Sequence, residues 1–244
     1  NIGLEEKMSM FVSLRRSSAR RACFFTFMLM MVAGLWGCSS APETKPPSEP
    51  QISARDSARW TVTEGIDAPE SVYADAASGF IFVSDIGGQP DQRDGNGHIS
   101  KLSGDGKVIA ASWVSGLNAP KGLRSHDGTL WTADIDEVIG INIESGKITS
   151  RVKIDGAKFL NDVACGDDGT VYVSDTVASR IYAVKDGKVS VLAEGEDLEY
   201  PNGLLVEGGR IVVGSWGKPE ADFSTKVPGR LYTLDLKTKK KTLI

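Results

Sequence analysis

After residue 57 the apolar residues come in short runs of four to seven, each bounded by a turn-forming pair. No stretch there carries the 3.6-residue stripe of an amphipathic helix, so the pattern predicts strands. The strands recur. A tetrad of Pro, a variable residue, Gly or Ser, and an apolar residue occurs at Pro69-Glu70-Ser71-Val72, Pro120-Lys121-Gly122-Leu123 and Pro201-Asn202-Gly203-Leu204. A degenerate copy is Leu160-Asn161-Asp162-Val163, and the four are spaced 51, 40 and 41 residues apart. Each tetrad leads to a turn (Ser78-Gly79, Asp127-Gly128, Asp168-Gly169, Gly208-Gly209) and then a second strand. Those second strands are Phe80 to Ser84, Leu130 to Ala133, Val171 to Ser174 and Ile211 to Gly214. Third strands follow at Ile99 to Leu102, Val138 to Ile143, Arg180 to Val184 and Arg230 to Leu234. Fourth strands such as Val108 to Val114 and Val189 to Ala193 close the units. Four short antiparallel strands per unit of about 40 residues predict an all-β fold, a β-propeller of four-stranded blades. About four blades fit into residues 58–244. A run at Trp60 to Gly65 precedes the first unit, and it is expected to complete the last blade and so cover an open edge.

The first 57 residues read differently. Arg15, Arg16, Arg20 and Arg21 precede an uncharged apolar stretch from Ala22 to Trp36. Fifteen residues are too few to span a bilayer, which takes roughly 20, but suit a secretory signal. The stretch ends in Leu35-Trp36-Gly37-Cys38, which resembles a bacterial lipobox. Residues 1–38 are therefore expected to be a lipoprotein signal peptide, with Cys38 the lipidated residue, and residues 1–7 to lie upstream of a start at Met8 or Met10. Residues 39–57 hold four Pro and almost no large apolar side chain, the composition of a flexible linker. The expected location is the periplasmic face of the outer membrane, with the lipid anchor as the membrane contact.

Charge and cysteine content narrow the options. Residues 39–244 carry 23 basic and 30 acidic side chains, a net of -7, which argues against nucleic acid as a partner. Cys165 is the one cysteine after Cys38, so an internal disulfide is excluded, and its apolar neighbours suggest a small buried hydrophobe. No G-x-S-x-G elbow is present, and neither His98 nor His126 falls where a catalytic base would be needed.

Candidate chemistry follows from propeller geometry. Each tetrad should open an innermost strand, which places its second residue at the mouth of the central channel. Glu70, Lys121, Asn161 or Asp162, and Asn202 would then form a polar ring, and Ile86 to Gly97 and Trp216 to Gly229 would overhang it. One carboxylate and two amide carbonyls are hard oxygen donors, suited to Ca2+ or Mg2+. Asp85, Asp134 and Asp175, which end three second strands, are expected instead to fix turns through backbone hydrogen bonds. Lys121 is expected to be a solvated surface lysine or to hold a substrate carboxylate or hydroxyl.

These residues resemble motifs of the gluconolactonase, regucalcin and luciferin-regenerating-enzyme family over roughly residues 60–244. Glu70-Ser71 with Phe80 to Ile86 resembles its opening motif, whose Glu binds metal. Phe159-Leu160-Asn161-Asp162 is similar to its Asn-Asp-Gly motif beside metal and substrate, with Val163 in place of the Gly. Tyr200-Pro201-Asn202-Gly203-Leu204 matches a motif whose Asn is a metal ligand. The resemblance implies a six-bladed propeller when complete, Glu70 and Asn202 as metal ligands, and Asn161, Asp162 and Lys121 at the substrate. It implies Ca2+ foremost, with Mg2+, Mn2+ or Zn2+ as alternatives. The implied activity is metal-dependent hydrolysis of a lactone or sugar-acid derivative. The family's catalytic Asp lies in a later Pro-Asp-Gly motif, which has no counterpart after Asn202 and is expected beyond Ile244. The alternative is a non-enzymatic, NHL-like binding platform at the cell envelope, since a propeller alone does not decide function.

Overall fold

The computed structural model describes residues 60–244, so the signal peptide, Cys38 and most of the linker lie outside the described residues. Sixteen strands fall into four antiparallel sheets. Blade 1 comprises β1 (Pro69–Ala74), β2 (Phe80–Asp85), β3 (Gly97–Ser103) and β4 (Val108–Leu117). Blade 2 comprises β5 (Pro120–His126), β6 (Thr129–Asp134), β7 (Glu137–Asn142) and β8 (Ile148–Lys153). Blade 3 comprises β9 (Leu160–Cys165), β10 (Val171–Asp175), β11 (Arg180–Lys185) and β12 (Lys188–Glu194). Blade 4 comprises β13 (Pro201–Glu207), β14 (Arg210–Ser215), β15 (Leu231–Asp235) and β16 (Lys241–Leu243). Neighbours in sequence are neighbours in each sheet, and β1, β5, β9 and β13 contact one another in series around the channel. The architecture is a β-propeller arc, as the repeat predicts. The helical content of the described residues is one 3-10 turn, Glu196–Leu198.

Turn chemistry sets the hairpins. Asp127-Gly128 and Asp186-Gly187 both have two consecutive positive φ values, 45° and 72° in the first and 50° and 72° in the second. This is the type I′ geometry whose twist matches that of the flanking strands. The apolar residues of each sheet then pack between blades. Phe82, Ile99, Val114 and Leu117 of blade 1 join Leu123, Leu130, Ile139 and Ile141 of blade 2. A second cluster joins Val138 and Ile154 to Val163, Val173 and Tyr182, and a third joins Tyr172 and Ile181 to Leu204, Val213 and Tyr232. Both faces of blades 2 and 3 are thus covered.

Trp60 to Gly65 forms no ladder with any described strand. Its contacts are those of side chains. The Trp60 indole covers Gly106, where an added Cβ would lie 2.4 Å from the ring, and Gly65 faces Val108 and Ala111 of β4. The segment therefore lies against the outer part of blade 1 and closes no blade among the described residues.

Candidate functional site

Every inner strand carries a one-residue bulge at the ring position. Pro69 pairs with Asp85 and Ser71 with Ser84, which leaves Glu70 as the extra residue. Pro201 pairs with Ser215 and Gly203 with Gly214, which leaves Asn202. In blade 2 the shift spans Lys121 and Gly122, and in blade 3 Asn161 and Asp162. A bulge breaks the pleat and re-aims a side chain, and bulges are common beside functional sites. The tetrads thus encode a repeated bulge at the channel mouth.

The Asp residues that end the second strands have their oxygens committed. Asp134 accepts the backbone N–H groups of Asn118 at 2.9 Å and Ala119 at 2.7 Å. Asp175 accepts those of Lys158, Phe159 and Ala178. Asp85 accepts the Asp67 N–H and the Ser100 hydroxyl, with His98 Nε2 3.5 Å away. These side chains hold the crossing from one blade to the next, as the sequence suggests.

The ring residues divide into two kinds. Asp162 turns towards blade 4, where one oxygen accepts the Leu204 N–H at 2.7 Å and the other accepts the Val163 N–H at 2.8 Å. Burial raises its pKa, while the N–H donors and Arg124 act in the opposite direction. Asp162 thus joins blades 3 and 4 and does not offer free oxygens to the channel. By contrast, no hydrogen bond or ion pair among the described residues engages the side chains of Glu70, Asn161 or Asn202. Glu70 keeps solvent contact, yet the crowding of its surroundings raises its pKa from 4.5 to about 7. Lys121 lowers it and Asp162 raises it further, so both charges lie within reach of Glu70.

Lys121 is not a surface residue. It is 1% exposed, and its ammonium donates to the Ala119 carbonyl at 2.9 Å. Burial lowers its pKa to about 8, opposed by Glu70, Asp134 and Asp91. Its Nζ also sits 4.6 Å from the centroid of the Phe159 ring, which is in turn 5.7 Å from Phe223. The expectation of a solvated lysine fails because the side chain on this bulge turns to the Ala119 carbonyl and the Phe159 ring and is covered from solvent. Ile86, Ala119 and Ile135 form an apolar cluster there.

Three residues of this region carry no motif. Phe223 is the aromatic residue at the middle of the connection that Trp216 opens, and its exposure at 38% is the signal that could have marked it. Asp91 belongs to the Ile86 to Gly97 connection and acts on Lys121 by charge. Arg124, on β5, lies 5.2 Å from the Tyr73 ring and donates to the Leu204 carbonyl at 3.5 Å, with its Nε buried and unpartnered. Cys165 packs half-buried against the second cluster, and burial pushes its thiol up to about 12, away from the thiolate form that a nucleophile needs. Among the described residues no three His, Cys, Asp or Glu side chains gather as a metal centre, so any cation site here must rest on amide oxygens as well.

No family model and no curated protein matches the sequence. Solved structures do. A chain of a nidogen/laminin complex aligns with a TM-score of 0.57 at 18% identity, over 74% of this chain and 64% of that one. Selenomethionine-substituted virginiamycin B lyase from Staphylococcus aureus aligns with a TM-score of 0.53 at 16% identity, over 73% of this chain and 56% of that one. The chain thus spans 64% and 56% of the length of these two structures. Both are β-propellers, and the likeness establishes the fold. One is a partner in a protein complex and the other a lyase, so propellers of this shape serve both binding and catalysis.

Proposed function

We propose that the channel mouth binds a small polar ester and that the complete protein hydrolyses it as a lactone or sugar-acid derivative. The observation that carries this reading is the contrast between committed and free polar groups. Asp85, Asp134, Asp162 and Asp175 are taken up by backbone N–H groups, with the Ser100 hydroxyl on Asp85 as well, whereas among the described residues the side chains of Glu70, Asn161 and Asn202 sit on bulges without hydrogen-bond partners. Polar groups left unbonded at a concave mouth are expected to be used by a ligand.

Glu70, Asn161 and Asn202 fit a hard divalent cation by donor type, with Ca2+ first. Such a cation would polarise an ester carbonyl and favour deprotonation of water. The chain's own contribution is positional. Lys121 balances Glu70 from a buried site, Asp162 fixes the blade that carries Asn161, and Phe159 supplies an apolar wall. None of the described residues is assigned as the proton acceptor. Calorimetric titration with Ca2+ or Mn2+, on protein lacking residues 1–38, tests the reading. Saturable binding that weakens in Glu70→Gln supports it, and absence of binding by the parent removes it.

A second reading has its own support. Lys121 already offsets Glu70, and among the described residues no second carboxylate is free at the ring. A mouth balanced in this way suits a non-catalytic binding platform, and this reading stands if no cation binds. Export as a lipoprotein through Cys38 is proposed under either reading, from the sequence of residues 1–38.

A further inference from the structure

Blade 4 carries a groove of about 460 Å³, between the 3-10 turn Glu196–Leu198 with the two residues after it and the base of the Trp216 to Gly229 connection. That volume lies within the range of small-molecule sites. Backbone frames it. The Trp216 N–H donates to the Tyr200 carbonyl at 2.9 Å and the Gly217 N–H to the Glu199 carbonyl at 3.0 Å. A Cβ at Gly217 would lie 2.1 Å from the Val227 carbonyl oxygen, and one at Gly229 2.4 Å from the Ser215 carbonyl oxygen. Strand ends and connection thus meet with no room for a side chain, and the groove exists without any movement.

Two lining residues in succession are strained. Glu199 has φ +55° and Tyr200 φ +59°, the left-handed region that side-chain-bearing residues avoid. Tyr200 also precedes Pro201, a context that favours extended backbone. Strain of this kind clusters at ligand sites. Its result here is positional: the Glu199 carboxylate meets Arg230, and Tyr200 lines the groove. The Arg230 guanidinium is engaged on one edge only. Its Nε lies 3.1 and 3.0 Å from the two Glu199 oxygens, and Nη2 donates to one of them. No hydrogen bond among the described residues uses Nη1, and the side chain is 59% exposed. Glu199 also accepts from Lys241, whose ammonium lies 4.1 Å from the centroid of the Tyr232 ring. The Arg230 and Lys241 donors hold Glu199 ionised, its pKa lowered to about 2. Two cations therefore share one anion, a net charge of +1, while Glu196 and Lys218 at the rim cancel 3.7 Å apart. The Tyr200 hydroxyl has no hydrogen-bond partner among the described residues either. The remaining wall is apolar, Pro228 with Val227, which is 73% exposed.

We propose that this groove binds a small apolar monocarboxylate, its carboxylate on the free edge of Arg230 and its body along Tyr200, Val227 and Pro228. A carboxylate only accepts hydrogen bonds, and the Nη1–Nη2 edge offers it two parallel N–H donors. One net positive charge matches one carboxylate, whereas a phosphate dianion would leave a charge unmatched. An apolar body gives Val227 the cover that the fold does not. The site is distinct from the ring of Glu70, Asn161 and Asn202, and it does not rest on the hydrolase reading.

Saturation-transfer difference NMR of the protein titrated with hexanoate in EDTA tests the site. The parent should bind hexanoate saturably. It should bind hexanamide, which lacks the charge, and acetate, which lacks the apolar body, about tenfold more weakly or worse. Arg230→Lys keeps a cation beside Glu199 but removes the planar fork, and should weaken hexanoate about tenfold. Val227→Asp sets a like charge on the wall at a position the fold leaves uncovered. It should abolish hexanoate binding with the Tm unchanged. Val72→Asp, at a 67% exposed position on blade 1, should bind hexanoate as the parent does. Absence of saturable binding by the parent overturns the proposal. So does equal affinity for hexanamide or acetate, or parent-like affinity in both Arg230→Lys and Val227→Asp. EDTA removes divalent cations, so failure here leaves the cation reading of the ring untouched, and failure of Ca2+ binding leaves this result standing.

Discussion

At the mouth, a carboxylate's role is decided by what donates to it. Asp175 receives three backbone N–H groups and is fully buried. Asp175→Asn replaces one acceptor by a donor that faces another donor, and should cost about 1–3 kcal/mol in a urea titration. Glu70 lacks such donors and behaves in the opposite way. The unfolded chain ionises it at 4.5 and the folded chain at about 7, so the folded state holds the proton more tightly. Its charge therefore weighs against folding progressively from pH 4.5 to about 7, and fully above that. In EDTA, the Tm of Glu70→Gln should match the parent near pH 5 and exceed it modestly by pH 8. The difference stays small because Glu70 is open to water on one side. Coinciding curves across this range would place Glu70 in an ordinary solvated setting. The sequence disclosed the ring positions through the recurrent tetrads, and it disclosed the structural Asp residues through their repetition. It could not disclose that Asp162 reaches across to Leu204 or that Lys121 is covered, because both depend on how a neighbouring blade packs.

Glycines at the element level separate contact from conformation. Gly122 has ordinary backbone geometry, yet a Cβ there would lie 1.9 Å from Asp162 Oδ1 and 2.6 Å from its Cα. It permits β5 and β9 to approach, so Gly122→Ala should push blades 2 and 3 apart and cost about 1–3 kcal/mol as overpacking. Gly128 has open space around it but φ +72°, and Gly128→Ala should cost about 1 kcal/mol through backbone strain alone. Urea titrations give both values, and the discriminating feature is the near-ultraviolet circular dichroism, which Gly122→Ala alone should alter. Strands were legible because turn pairs and apolar runs agree locally, as at Asp186-Gly187 between β11 and β12. Trp60 to Gly65 shows the limit of that logic. Its residues suit a strand, but a strand exists only where another backbone offers a ladder, and here the indole finds Gly106 instead.

For the whole molecule, the decisive feature is that the apolar clusters lie between blades. Stability is then close to a sum of neighbour interfaces, as in a one-dimensional repeat array. Blades 2 and 3 each contribute to two clusters, blade 1 to the first and blade 4 to the third. The edges differ in kind as well. Blade 4 leaves Leu205 at 48% and Leu231 at 50% exposure, and blade 1 leaves Val72 at 67%. Local opening draws on the least-covered elements first. Hydrogen exchange should therefore show slow amides in β6, β7, β10 and β11, and faster ones in β3, β14 and β15, although all seven are interior strands of their sheets. The comparison must use interior strands, because outer strands exchange quickly in any sheet. Leu130→Ala, in the cluster between blades 1 and 2, should cost about 2–5 kcal/mol and speed exchange in both blades, while Leu205→Ala should cost under about 1 kcal/mol. Equal protection in all four blades would mean that surface outside residues 60–244 covers the faces of blades 1 and 4, and that the unit of folding is larger than the described arc.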